Sequence, residues 1–214
     1  MLLQDKIAVV YGGGGKIGAA VARAFVHEGA TVFLAGRTPE KLEIVAEEIR
    51  QMGWTAETAV VDALNPQDVK DHLAVIIERF GHVDISFNAI SIRGDLQGTP
   101  LVEMNWEDFT TPVMVGTKTH FITATAAARI MAEQNSGAIL TLSSSASVLS
   151  GRDRRFHRTG GFSTACAAIE AFTRSLAGEV GMQGVRVVCL RPDAIPETWS
   201  PEHQDDSDPN STYA

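Results

Sequence analysis

A glycine-rich segment is the part of the chain best suited to binding phosphate. It reads Gly12-Gly13-Gly14-Gly15-Lys16-Ile17-Gly18 and lies between an apolar β-branched run and an amphipathic stretch. Glycine lets the backbone turn tightly and approach phosphate oxygens, and a following helix offers unpaired N–H groups and the positive end of its dipole. The sequence therefore predicts a dinucleotide pyrophosphate site. Its residues are Gly12, Gly14, Gly15, Lys16, Ile17 and Gly18.

A second binding candidate is Arg37, which follows the apolar segment Leu34-Ala35-Gly36. An NAD(H) site has Asp or Glu at this point to bind the ribose 2′-hydroxyl, whereas Arg pairs with a 2′-phosphate. Gly36 stands where the acid would be. The pattern therefore favours NADP(H) over NAD(H) as cofactor. The alternative is that Arg37 is a solvated charge at a helix start.

The elements that must position these residues alternate between short apolar runs and longer helical patterns. This alternation is typical of βαβ units, and it predicts an α/β fold. We expect a Rossmann-type doubly wound parallel sheet of about six strands with helices on both faces. The predicted strands are Lys6–Tyr11, Thr31–Ala35, Ala59–Val61, Val83–Phe87, Ala138–Leu142 and Val185–Leu190. The predicted helices are Ile17–Glu28, Pro39–Met52, Pro66–Phe80, Thr110–Glu133 and Phe162–Gly181.

Composition limits the classes of partner. The chain has 214 residues, 44% of them hydrophobic, and a formal net charge of −8; this argues against nucleic-acid and anionic-membrane partners. Arginines between Arg152 and Arg158 form one basic cluster, which is either a solvated loop or a contact for phosphate or an acidic substrate. Cys166 and Cys189 are too few for a disulfide framework. We predict no metal site, signal peptide or bilayer span, and expect a cytoplasmic protein.

Several motifs resemble those of the short-chain dehydrogenase/reductase family. The segment from Phe162 to Ala177 is similar to the family's catalytic helix, but Phe162 and Cys166 stand where the family has Tyr and Lys. The glycine segment resembles Thr-Gly-x-x-x-Gly-x-Gly, with Lys16 in place of the middle glycine. Lys16 could therefore displace the cofactor or bind a phosphate directly, and both remain open.

The resemblance also implies roles for residues at the ends of two further strands. Asp62 matches an Asp that contacts the adenine in the family. Asn88, in Phe87-Asn88-Ala89-Ile90, resembles the family's Asn-Asn-Ala-Gly, although it could equally be a structural residue that ties strand four to its neighbour. Near the last strand, Pro192 resembles the Pro of the family's Pro-Gly signature, and Ile195 is the counterpart of a residue just after it that contacts the nicotinamide carboxamide.

The catalytic residues implied by the resemblance are mostly replaced. Ser144, at the end of strand five, matches the serine that hydrogen-bonds the substrate carbonyl; alternatively, the serines there satisfy backbone groups. Val113 stands at the position of the family's Asn, which organises a relay water. Phe162 has no proton to give, and a neutral Cys166 thiol cannot lower a neighbour's pKa as an ammonium does.

Other residues could replace the missing acid. The nearest candidates in sequence are His157, His120, Lys118 and Arg155, and Cys166 could form a thiolate if a cation lay close.

The resemblance extends from about Lys6 to Thr198, and we expect one domain over residues 1–198. Residues 199–214 are acidic and are expected to form a disordered tail. Family members normally continue with a substrate-covering helix and a seventh strand, so the chain resembles a divergent, C-terminally shortened member. We therefore expect strand six to be an exposed apolar edge.

Three hypotheses for function follow. The first is an NADP(H)-dependent short-chain oxidoreductase with a non-standard active site, acting on a small carbonyl or activated-alkene substrate. The second is a catalytically inactive relative that binds NADP(H) or a protein partner. The third is a fragment with neither ability. Helices four and five often form the dimer face in the family that the chain resembles, and their apolar content here permits a homodimer.

Overall fold

A computed structural model describes residues 1–92, 94, 97–149, 158–193 and 195. The strands are β1 (Ile7–Tyr11), β2 (Thr31–Gly36), β3 (Ala56–Val60), β4 (Ile85–Asn88), β5 (Gly137–Leu142) and β6 (Val185–Leu190). The helices are α1 (Lys16–His27), α2 (Pro39–Gln51), α3 (Pro66–Phe80), α4 (Trp106–Gln134), α5 (Ala146–Leu149) and α6 (Gly161–Val180), and a 3₁₀ turn covers Gly181–Gln183.

The described strands form one parallel sheet in the order β3-β2-β1-β4-β5-β6. The order reverses between β1 and β4, because the first half of the chain builds outward from β1 in one direction and the second half in the other. Crossovers of this kind leave a crevice at the carboxyl ends of β1 and β4, where doubly wound sheets bind ligands. The predicted fold class is confirmed.

Two apolar cores cover the two faces of the sheet. One contains α1 and α2, with Ala22, Leu42 and Ile49 packed on alternate residues of the central strands. The other contains α3, α4 and α6, with Leu73 and Met131 among its fully buried side chains. Helices therefore lie on both faces, as the alternating sequence pattern predicts.

The central strands are apolar along their whole length because both of their faces are covered. All five residues of β1, Ile7–Tyr11, are buried. Asp84 joins the start of β1 to the start of β4: its carboxylate accepts from Lys6 Nζ at 2.8 Å and from the Ile7 N–H at 2.9 Å. This contact fixes the register of the two strands at the centre of the sheet.

The edge strand β3 is more polar, and its bounds were predicted less accurately. We predicted Ala59–Val61, but β3 covers Ala56–Val60. Glu57 lies within it and binds Arg79 through two contacts of 2.6 and 2.8 Å. A strand with one exposed face carries a weaker apolar signal, which explains the displaced boundary.

Strand β6 is the other edge of the sheet among the described strands, as expected. Val188 and Leu190 point to the same face and are exposed, whereas Val185 and Val187 pack into the core beside α6. In the described part of the chain, no helix is long and apolar enough to cross a membrane.

Candidate functional site

The glycine segment forms the turn between β1 and α1. Gly12 has a φ of +76°, and its N–H donates to the Ala35 carbonyl at 2.8 Å. A β-carbon added to Gly12 would lie 2.7 Å from the carbonyl oxygen of Ala89. Gly12 is therefore required both for its backbone conformation and for the close approach of the turn to the end of β4.

The rest of the turn is equally restricted. A β-carbon on Gly18 would overlap the Gly12 carbonyl oxygen, and one on Gly14 would lie 2.9 Å from the Lys41 β-carbon. Gly15 precedes α1 in an extended conformation. The turn therefore presents bare backbone followed by a helix N-terminus, which is the arrangement that holds a pyrophosphate.

The two non-glycine residues of the segment have different surroundings. Lys16 is the first residue of α1 and its side chain is exposed, while Ile17 packs partly against the core shared with α1 and α2. Both contribute backbone N–H groups to the first turn of the helix, where the groups lack intrahelical acceptors.

Arg37 follows β2 directly and its side chain is exposed. Within the described ranges it makes no hydrogen bond or ion pair. A β-carbon on Gly36 would meet Leu42 Cδ2 at 3.4 Å, an ordinary contact. The structure thus leaves a free cation beside the glycine turn, and the absence of an acid at position 36 is not imposed by packing.

Asp62 and Asn88 lie after β3 and at the end of β4. Asp62 is partly buried and one of its carboxylate oxygens accepts from the Leu64 N–H at 3.0 Å. Asn88 is buried: its amide donates to the Thr123 hydroxyl, and its oxygen accepts from the Ile90 N–H, both at 3.0 Å. Asn88 therefore joins β4 to α4 rather than to a neighbouring strand.

The residues at the family's Tyr, Lys and Asn positions lie on two packed helices. Phe162 and Cys166 are in the first turns of α6, and Val113 is three residues before Gly116 on α4. The two helices approach each other closely at Gly116: a β-carbon added there would lie 3.5 Å from the β-carbon of Ala165. The three positions therefore lie on two helices in direct contact, and none of them carries the Tyr, Lys or Asn of the family.

Cys166 is fully buried, and burial raises the pKa of its thiol to about 11 despite a hydrogen bond with Ser143. The thiol is therefore protonated at neutral pH and carries no charge. Phe162, which is partly buried, offers no polar atom. Neither residue can perform the proton transfer or the pKa lowering that Tyr and Lys perform.

The three serines after β5 have distinct roles. Ser143 donates to Glu170 at 2.7 Å, and Ser145 donates to Asp193 at 2.7 Å. The Ser144 hydroxyl accepts from the Ala146 N–H at 3.3 Å, and its own proton has no acceptor within the described ranges. Ser144 is therefore the serine whose proton is available to a ligand.

His120 is buried between α4 and β5. Its Nδ1 lies 2.8 Å from the Gly116 carbonyl, and its Nε2 accepts from the Leu142 N–H at 3.2 Å, so the proton resides on Nδ1. Burial lowers its pKa to about 4 against the opposing effect of the Gly116 hydrogen bond. Both ring nitrogens are used structurally.

Of the other candidate acids, only Lys118 lies within the described residues. Lys118 is exposed beside Phe121 and Phe172 on the outer face of α4 and α6. His157 and Arg155 lie outside the described residues, as does the acidic segment 199–214.

Sequence reasoning missed Glu170, which lies one turn after Cys166 on α6. Its carboxylate accepts from the hydroxyls of Ser143 at 2.7 Å and Ser147 at 2.6 Å, and its second oxygen lies 3.6 Å from Arg191. The i, i+4 spacing from Cys166 was the signal available, because it places both side chains on one helix face.

Pro192 follows β6, and its carbonyl accepts from the Ser145 N–H at 2.9 Å. Ile195 is partly buried. Pro192 therefore lies against the serine turn after β5. Among the residues described, no group of three His, Cys, Asp or Glu side chains is arranged to hold a metal ion.

Comparison with known proteins places these features in context. A family model described as short chain dehydrogenase matches residues 6–206. An uncharacterised oxidoreductase of Staphylococcus aureus strain N315 is 31% identical over 212 residues, covering 97% of this chain and 87% of the relative.

Two solved structures have the same fold with different cofactors. A metagenomic short-chain oxidoreductase in complex with NADP has a TM-score of 0.77 and 26% identity, covering 90% of this chain and 84% of that one. NAD⁺-bound xylitol dehydrogenase has a TM-score of 0.80 and 25% identity, covering 90% of this chain and 72% of that one. Similar folds thus occur with either dinucleotide.

Proposed function

The chain belongs to the short-chain dehydrogenase family, and on that premise we propose that it is an NADP(H)-dependent oxidoreductase whose active site lacks the tyrosine–lysine pair. The observation that carries the cofactor preference is the free guanidinium of Arg37 beside a glycine at position 36. A guanidinium binds a 2′-phosphate through paired charge-assisted hydrogen bonds.

The described residues fit a dinucleotide. The turn from Gly12 to Gly18 would receive the pyrophosphate, Asp62 the adenine, and Pro192 and Ile195 the nicotinamide end. The glycines leave the backbone N–H groups at the N-terminus of α1 uncovered by side chains, which supports this assignment. When bound, the dinucleotide supplies or accepts a hydride.

Ser144 is the residue that would polarise the substrate carbonyl. Its hydroxyl proton would donate to the substrate carbonyl oxygen and stabilise negative charge that develops there. Phe162 supplies no acid, so the proton that completes the reduction comes from water. An activated alkene is well suited to such a site, because hydride adds to carbon and the resulting enolate is stabilised by a hydrogen-bond donor. We therefore favour small carbonyl or activated-alkene substrates.

A second function is supported by the burial of Cys166. A neutral thiol at the lysine position cannot hold the nicotinamide ribose by charge, so the chain could bind NADP(H) without turnover. This alternative uses the same nucleotide site and differs in the chemical step alone.

A fluorescence titration with NADPH and, in parallel, NADH tests the proposal. We expect saturable binding with NADPH preferred. A single-turnover assay of bound NADPH against a panel of dicarbonyls and enones then separates the two functions: NADPH oxidation supports the oxidoreductase, and its absence across the panel supports the binding protein. Lack of binding to both dinucleotides would refute both functions.

We also propose a homodimer through α4 and α6, the fourth and fifth of the helices predicted from sequence. Met114 and Phe121 are exposed on α4, two turns apart, and Phe121 packs against Phe172 of α6 with ring centroids 5.8 Å apart. Large exposed apolar side chains on one helix, packed against a partly buried aromatic ring of the next, are typical of an interface.

A further inference from the structure

Glu170 joins three segments that surround the candidate catalytic serine. It lies on α6, and its carboxylate accepts hydrogen bonds from Ser143 at 2.7 Å, after β5, and from Ser147 at 2.6 Å, in α5. Its second oxygen lies 3.6 Å from the guanidinium of Arg191, after β6. One side chain therefore contacts the ends of both strands that border the site.

Backbone hydrogen bonds to the segment after β6 lie on both sides of Ser144. Ser143 and Ser145 flank it, and their N–H groups donate to the carbonyls of Leu190 and Pro192, both at 2.9 Å. The serine turn and the segment after β6 are thus hydrogen-bonded to each other, and Glu170 lies behind them. A shift of either segment would move the Ser144 hydroxyl relative to Pro192.

The charge of Glu170 is well stabilised. Its side chain is 16% exposed. Burial opposes ionisation, but the hydrogen bonds from Ser147 and Ser143, together with the charges of Arg191 and Arg174, outweigh it and lower the pKa of the carboxyl. An ionised carboxylate is an acceptor at both oxygens, so it orders the two hydroxyls and the guanidinium together.

We propose that Glu170 is a positioning residue that holds the Ser144 turn and the Pro192 segment in register for the nicotinamide end of the cofactor. This rests on the proposed function, since it assigns a role within the same site. Cys166 lies one turn before Glu170 and supplies no charge to the site. The orientation of the remaining polar groups therefore depends on the network around Glu170 rather than on a lysine.

The test compares Glu170→Ala and Glu170→Gln with Glu179→Ala, which removes an exposed carboxylate from the same helix. Amide hydrogen exchange of the protein without cofactor reports directly on the Ser143 and Ser145 N–H groups. We expect Glu170→Ala to accelerate exchange at both, Glu170→Gln to preserve most of the protection because its oxygen still accepts from the serines, and Glu179→Ala to change neither. Unchanged exchange in Glu170→Ala would overturn the proposal.

A binding measurement extends the test to the cofactor. We expect Glu170→Ala to weaken NADPH binding about five- to tenfold and to leave 2′,5′-ADP binding within about twofold, because the latter occupies the adenine half alone. Glu170→Gln should recover most of the NADPH affinity. An equal loss for both ligands would indicate general damage and overturn the proposal.

The hydrogen-exchange and binding measurements distinguish failure of the proposed function from failure of the proposed role of Glu170. If the unmodified protein binds neither nucleotide, the proposed function fails, while hydrogen exchange still decides whether Glu170 orders the two strand ends. If Glu170→Ala does not fold, Arg191→Met serves as the second variant, with faster exchange at Ser145 expected and no change counting against the network.

Discussion

The N–H of Leu142 donates to Nε2 of His120 at 3.2 Å, which joins the last residue of β5 to the middle of α4. The bond requires an unprotonated Nε2. Since Nδ1 is occupied by the Gly116 carbonyl, a second proton on the ring would break the contact and bury a charge.

Stability should therefore fall in mild acid. The pKa of His120 is about 4 in the folded protein, against an ordinary value of 6.5, and burial lowers the pKa of His72 to about 4 as well. Between pH 4 and pH 6.5 the unfolded state binds more protons than the folded state. The free energy of unfolding therefore decreases as the pH falls from 6.5 toward 4, and it levels off below pH 4. For His120 we expect a loss on the order of 3 kcal/mol.

Urea unfolding at pH 7.5 and pH 5 measures this slope. His120→Gln should reduce stability at pH 7.5 and flatten the dependence on pH. His27→Gln, at an exposed position, is the matched control variant. A slope in His120→Gln equal to that of the unmodified protein would contradict the assignment.

The two cysteines should differ strongly in reactivity. Cys166 is fully buried and its pKa is raised to about 11, whereas Cys189 is partly exposed. With an aromatic disulfide reagent at pH 7.5, we expect one thiol to react in the native protein and the second to react on unfolding. Cys189→Ser should abolish the fast phase. Fast reaction of Cys166 in that variant would show that a thiolate is accessible at the lysine position.

Cofactor preference should depend on positions 36 and 37. Arg37→Ala is expected to weaken NADPH binding on the order of 10- to 100-fold while leaving NADH unaffected. Adding Gly36→Asp should then favour NADH, since a β-carbon at Gly36 makes only an ordinary contact. Arg129→Ala, which removes an exposed cation from α4, is the control. Equal losses for the two dinucleotides in Arg37→Ala would refute the role of the 2′-phosphate.

Three glycines allow the steric cost in the glycine turn to be separated from the backbone cost. Gly53→Ala, at φ +85° with open space, should destabilise by about 1 kcal/mol, from its backbone conformation alone. Gly12→Ala combines a positive φ with a clash against Ala89, and should cost roughly 3 kcal/mol or more. Gly178→Ala, in α6 with open space, should stabilise by roughly 0.5–1 kcal/mol. Thermal and urea unfolding rank the three, and a Gly12→Ala cost as small as that of Gly53→Ala would contradict the close approach.

The proposed homodimer gives a further prediction. Phe121→Glu should convert a dimer into a monomer, because a carboxylate cannot be buried unpaired between two copies. Met182→Glu, at a highly exposed residue outside α4 and α6, should leave the dimer intact. Light scattering coupled to size-exclusion chromatography distinguishes these states, and a monomeric unmodified protein would refute the interface.

The sequence predicted the central strands well because their burial on both faces leaves continuous apolar runs. The central strands β1, β2 and β5 were placed within one residue of their observed bounds, while the edge strand β3 was displaced toward Val61. Helix α5 was not predicted, since four residues carry too little periodicity to be recognised.

Within the site, local motifs located the glycine turn and the serine turn, and the family resemblance favoured Ser144, but residue type alone could not show which serine hydroxyl is free. Ser143, Ser144 and Ser145 are identical in type, and their roles differ through partners such as Glu170 and Asp193, which are distant in sequence. Long-range hydrogen bonds of this kind have no signature in a single sequence. The same is true of His120, whose candidacy as an acid depended on burial that only the fold reveals.

The contact of Asp84 with Lys6 and Ile7 has a consequence for the order of folding. The pairing of β1 with β2 closes a short loop, whereas the contact with Ile7 spans 77 residues. During synthesis, the edge of β1 that pairs with β4 therefore stays unpaired until β4 has left the ribosome. Long-range closure of this kind slows folding, so we expect β1 to be the segment that chaperones protect for longest.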